Sequence, residues 1–104
     1  MRKVTKETVT AFLKGEKKTI GNTSTDGKSL YLHGNCIARK VDGKIYISNA
    51  GWQSVTTKER LNGLLYMLGK AGIFQKDFQW FRMAESENPW KDAQPFPFHE
   101  FIEA

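Results

Sequence analysis

With 104 residues the chain has room for one domain around one core and excludes a two-domain protein. Hydrophobic residues at 39%, charged residues at 26% and an aromatic set of three Trp, three Tyr and seven Phe exclude a disordered or fibrous chain. The net charge of +5 is unevenly spread, with 13 Lys/Arg against 5 Asp/Glu in residues 1–70 and 3 against 6 in residues 71–104, so the first two-thirds carry a field that attracts polyanions.

The first predicted element is a short helix with Thr5 as N-cap, Glu7 in its first turn and Gly15 at its end. Val4, Thr8, Ala11 and Phe12 form its apolar stripe, and a helix this short needs Phe12 docked on the rest of the protein. Lys14, Lys17 and Lys18 follow as the densest basic point in the chain. Two Asp-Gly pairs, Asp26-Gly27 and Asp42-Gly43, then read as two-residue hairpin turns, because Asp and Gly tolerate the positive φ that matches strand twist. These turns predict that Thr23 faces Leu30 in the first hairpin, and that Ala38 faces Ile47 and Arg39 faces Tyr46 in the second. Leu30 and Leu32, and Ala38 with Ile45 and Ile47, then point to one side, leaving Tyr31, His33, Arg39 and Tyr46 for open faces. Between them, Gly34-Asn35 requires either a turn or a bulge.

The alternation of Ile45 and Ile47 with Tyr46 and Ser48 ends at an Asn49-Ala50-Gly51-Trp52 corner, with Trp52 placed to wedge strand against helix. Thr56 and Glu59 form a capping box, so a helix is predicted from about residue 57 to 69 with Leu61, Leu64, Leu65 and Leu68 as its buried stripe. After it, Phe78, Trp80 and Arg82 alternate with Gln79 and Phe81, which predicts one or two short strands with Lys76-Asp77 as a turn. From Glu85 the composition shifts to an acidic stretch that holds all three prolines. Residues 91–104 are therefore expected as an arm beside a domain of residues 1–90, either wrapped on it by Trp90, Phe96, Phe98 and Phe101 or displayed to a partner through them. The predicted architecture is α+β: a short N-terminal helix, an antiparallel meander over about residues 18–49 with a helix packed on it, a C-terminal hairpin and an aromatic arm.

Signals for catalysis are sparse. His33 and His99 lie in different regions without a partner at metal spacing, no glycine-rich loop joins a strand to a helix start, and no carboxylate pair closes a strand end. No enzyme, metal or cofactor is expected on these grounds. The single cysteine, Cys36, forms no internal disulfide, and neither a signal-like start nor an apolar run near membrane length is visible. A reducing cytoplasm and no membrane partner are the expectation.

Nucleic-acid binding has better ingredients. Tyr31, Tyr46 and Arg39 on an open sheet face, ringed by Lys17, Lys18, Lys28, Lys40 and Lys44, would offer stacking surfaces in a positive field. Lys58 and Arg60 stand in the first turn of the second helix, where backbone amides also meet phosphates. The competing expectation is a protein-binding module that uses the aromatics of the arm as anchors.

One resemblance sharpens the setting. The segments Leu-Tyr-Leu-His-Gly-Asn at 30–35, Ile-Ala at 37–38, Ala-Gly-Trp at 50–52 and Thr-Thr-Lys-Glu-Arg-Leu-Asn at 56–62 resemble a family of short uncharacterised proteins of tailed bacteriophages and related mobile elements. The resemblance implies the cytoplasm of an infected bacterial host and no particular mechanism. It also implies that Gly51, Trp52, Arg60 and Asn62 are positions to test, the last two because they leave the leucine stripe. Members of that family tend to close near a terminal Trp such as Trp90, which sets Lys91–Ala104 apart as an extension. The expected function is a non-catalytic phage accessory protein that binds nucleic acid; the alternative is a factor that binds and modulates a host or phage enzyme. A mimic of DNA would be acidic, and this chain is basic.

Overall fold

In the computed structural model, which describes residues 1–104, the chain opens with helix α1 (Lys3–Lys14), closed by Gly15 in the left-handed conformation at φ 76°. Thr5 is not its cap. The helix starts three residues earlier, behind Arg2, and Thr5 is wholly buried with Thr8, Val9 and Phe12.

Five strands follow as an antiparallel meander: β1 (Lys18–Ile20), β2 (Thr23–Thr25), β3 (Ser29–Leu32), β4 (Asn35–Val41) and β5 (Lys44–Ile47). The Asp42-Gly43 turn has both residues at positive φ, 51° and 80°, and pairs Ala38 with Ile47 and Arg39 with Tyr46, the register its spacing predicts. The Asp26-Gly27 loop is wider than predicted. Thr25 faces Leu30 and Thr23 faces Leu32, because the Asp26 carboxylate accepts from the amides of Lys28 and Ser29 at 2.9 and 2.8 Å and closes a longer turn. The shift is two residues, so every side chain keeps its face. Around Gly34 the structure has both a turn and a bulge. His33 and Gly34 reverse the chain at φ 52° and 78°, and Tyr31 pairs with Cys36 while Leu30 pairs with Ala38. The extra residue, Ile37, lets two consecutive side chains, Ile37 and Ala38, both enter the core.

Helix α2 (Val55–Leu68) is capped by Ser54, not Thr56; the Ser54 hydroxyl accepts from the Thr57 amide at 3.1 Å. Glu59 closes no capping box, since its carboxylate accepts from Thr5 of α1 and from the amide of Arg2, which precedes that helix. Leu61, Leu64 and Leu65 are fully buried, with Leu68 at the margin of the core. Gly63 lets the two helices touch: a Cβ there would collide with the Thr5 methyl.

Three further strands, β6 (Ile73–Lys76), β7 (Gln79–Arg82) and β8 (Gln94–Pro95), form a second antiparallel sheet, and β9 (Ile102–Glu103) returns to pair with β5 at the edge of the first. The β6–β7 turn is Asp77-Phe78, one residue later than expected. Residues 91–104 thus supply a strand to each sheet. Phe96 is buried with its ring 5.6 Å from that of Trp80, and one core cluster runs from Val9 and Phe12 through the sheet and α2 to Trp80 and Phe96. No helix is long and apolar enough to cross a membrane.

Candidate functional site

The residues expected to form one basic and aromatic face are distributed by the fold to several places. Tyr31, Arg39 and Tyr46 do share the sheet face opposite the buried Leu30, Leu32 and Ala38. That face is partly engaged: the Arg39 guanidinium lies 4.1 Å from the Phe101 ring centroid, and Tyr46 stands opposite Glu103, which pairs with Lys44 at 3.6 Å. Lys40 is on the other side. Strand alternation turns it toward α1, where its ammonium donates to the carbonyls of Phe12 and Gly27, so it braces the end of the helix instead of meeting solvent.

Arg60 is a clear correction. Only 2% of it is exposed; its guanidinium donates to Thr23 Oγ1 at 2.9 Å, to Thr5 Oγ1 at 3.0 Å and to the Glu59 carboxylate. A buried arginine needs such partners, and here they join α1, α2 and β2. Burial pushes the Glu59 carboxyl upward, but the hydrogen bonds from Thr5, Arg2 and Arg60 and the charge of Arg60 outweigh it and hold the group below its ordinary value of 4.5. Asn62 is also structural. Its amide donates to the Ile73 carbonyl at 2.9 Å and accepts from the Ile73 amide at 2.7 Å, fastening the start of β6 to α2. Lys58 is half-buried with its ammonium 3.4 Å from Gln75 Oε1.

Among the aromatics of residues 90–101, Phe96 belongs to the core and is no free anchor, and Phe101 lies under Arg39. Trp90 rests against Phe74, ring centroids 4.7 Å apart, with much of its surface exposed, and Phe98 is exposed. Trp52 is not the wedge that its place in the corner implies. Ala50 and Gly51 both adopt positive φ, 54° and 84°, the Trp52 amide donates back to the Asn49 carbonyl, and the ring is carried outward to 62% exposure. Asn49, wholly buried, fills the corner instead.

What the fold does assemble is a lysine surface on α1 and β1. Lys3, Lys6, Thr10 and Lys14 recur at helical spacing on the side of α1 away from Val9 and Phe12, and Lys17 and Lys18 run beside them into β1. Lys3, Lys6, Lys17 and Lys18 line an open groove of about 740 Å³ with Glu7 and Glu16. One ion pair crosses it, Lys18 with Glu7 at 3.9 Å. Lys3, Lys6, Lys14 and Lys17 stand within ion-pair distance of no carboxylate. Lys3 and Lys6 were missed as site residues, although their spacing from Lys14 is the signal that would have found them.

A scan of protein-family models matches residues 1–101 to the family described as Kyanoviridae Gp96 protein. The match passes well beyond Trp90, so residues 91–101 lie within the family pattern rather than in an extension to it. No curated protein and no solved structure gives a significant match.

Proposed function

The chain belongs to the Kyanoviridae Gp96 family of phage proteins, and on that premise we propose that it is a non-catalytic accessory protein that binds nucleic acid through the lysine surface of α1 and β1. The observation that carries this reading is the set of cations without carboxylate partners: residues 1–18 hold six Lys/Arg against two Glu, and Lys3, Lys6, Lys14 and Lys17 enter no ion pair. Free ammonium groups on flexible stems suit phosphates along a backbone, and each that meets a phosphate releases a counterion. Arg39 and the two tyrosines look away from α1, across the sheet, and are not needed for this contact. The test is titration of labelled single- and double-stranded DNA and RNA across a salt series. The expected outcome is micromolar or tighter binding to at least one polymer at low salt, falling steeply as salt rises. Absence of binding to all four at low salt would overturn the proposal and leave the lysines as solubilising groups.

Phe78 favours a second reading, a host or phage protein as partner. It is 90% exposed at the tip of the β6–β7 hairpin and held at φ 65°, a conformation in which a bulky residue gains nothing within the free chain. Binding to a captured protein that resists salt and is lost in Phe78→Asn, with Lys3 and Lys6 intact, would support this reading over the first.

A further inference from the structure

We infer that the cleft beside Trp52 receives a single unpaired nucleobase of the strand held by the lysine surface; the inference rests on the nucleic-acid reading above. The cleft lies between the β3–β4 turn, the Asn49–Trp52 corner and the start of α2, and encloses about 320 Å³. That volume suits one small ring system. Leu32 and Ile37 give it an apolar floor, and Trp52 stands at the side with most of its ring in solvent.

The polar lining decides the chemistry. The Asn35 amide and the Thr56 hydroxyl are half-buried in the cleft wall and form no hydrogen bond with the protein, whereas Asn49, Ser54 and Thr57 are engaged through their side chains. Asn49 Oδ1 accepts from the Gly51 amide at 2.8 Å and the His99 amide at 2.9 Å, and Ser54 is held by Thr57. Free donors and acceptors of both kinds beside an aromatic face are what the edge and face of a base require. No Asp, Glu, Lys or Arg lines the cleft, so no ionic side chain pairs with what enters it, and hydrogen bonding and stacking are the contacts it offers.

The backbone maintains the opening. His33 and Ala50 flank the site in left-handed conformations, φ 52° and 54°, which non-glycine residues seldom adopt. Asn49 fixes the second of these turns through its side chain and thereby holds Trp52 outward. Strain concentrated around an exposed aromatic ring and unengaged polar groups is the pattern of a ligand site. The lysine surface leads toward it. From Lys18, β1 runs to the Gly21-Asn22 turn, and the Asn22 amide lies 3.4 Å from His33 Nε2 at the cleft margin. Four residues of strand span at most about 13 Å.

The test compares a short single-stranded homopolymer oligonucleotide with an abasic strand of the same length, binding wild type and Trp52→Ala. Wild type is expected to prefer the base-bearing strand, and Trp52→Ala to lose about fivefold or more of that affinity while its affinity for the abasic strand stays unchanged, as removal of one stacking partner requires. Equal binding of the two strands by wild type, or an equal loss for both in the variant, would overturn the inference. If neither strand binds at low salt, the lysine reading itself has failed. The cleft is then judged by free nucleosides alone: a saturable shift of the Trp52 indole N–H resonance, assigned from Trp52→Ala, supports it, and no shift overturns it.

Discussion

Helix α1 is flanked by two cationic neighbourhoods that follow opposite rules. On the side toward α2, Arg60 is sunk among Glu59, Thr5 and Thr23, every contact made within the protein. On the far side, Lys3, Lys6 and Lys14 point to water with no partner. A guanidinium withdrawn from solvent is tolerated only with its charge and donors matched, so its role is used up in joining two helices and a strand. A lysine on an exposed helix face keeps its ammonium hydrated and available. Counting positive residues therefore says little about a binding surface until burial has sorted them.

The largest expected effect is at the buried neighbourhood. Arg60→Ala removes the cation that pairs with the Glu59 carboxylate and the donor to the Thr5 and Thr23 hydroxyls, and denaturant unfolding should show a loss of about 3–5 kcal/mol. A loss below about 1 kcal/mol would mean that the network is incidental to the seam. Leu64→Ala, in the core that the seam closes, should cost about 2–5 kcal/mol by the same measurement. A loss well under 1 kcal/mol would contradict the packing of α2 on the sheet. Gly63→Ala places a methyl against Thr5 where the helices touch, and should lower stability by about 1–3 kcal/mol; an unchanged midpoint would show that the helices separate at no cost.

Acid sharpens the comparison further. Because the Glu59 carboxyl lies lower in the folded protein than its ordinary 4.5, the unfolded chain binds the proton more readily. Its contribution is complete above that ordinary value and is lost as pH falls through the lowered folded one. Urea midpoints followed from about pH 6 to about pH 3 should fall less steeply in Glu59→Gln than in wild type. Identical slopes would remove Glu59 from the acid response.

The local pattern of the chain was legible where one element decides the outcome. Asp42-Gly43 set its hairpin register to the residue, the leucine spacing marked the buried face of α2, and Gly15 ended α1. What escaped was decided by neighbours. Arg60 leaves the leucine stripe, as the spacing says, but α1 covers that flank and extends the buried arc around to Gly63. The pattern of one helix does not show a second helix beside it. Thr56 and Glu59 had the spacing of a capping box, yet Glu59 found Thr5 and Arg60 across the seam and Ser54 took the cap. Trp52 was misplaced because a pair of left-handed residues at the corner reverses the chain, and Ala50 gives no advance sign of adopting that conformation. Of the expected binding residues, Lys17, Lys18, Tyr31, Arg39 and Tyr46 remain at least partly accessible, but on two sides of the sheet.

The most direct test of the division between buried and available cations is the salt dependence of nucleic-acid affinity in wild type and in the combined variant Lys3→Gln, Lys6→Gln, Lys17→Gln. With unfolding midpoints unchanged, the slope of log affinity against log salt should become shallower by about 0.7–0.9 for each lysine removed, roughly 2–2.7 in all. Equal slopes for the two proteins would show that the polymer lies elsewhere and contradict the account.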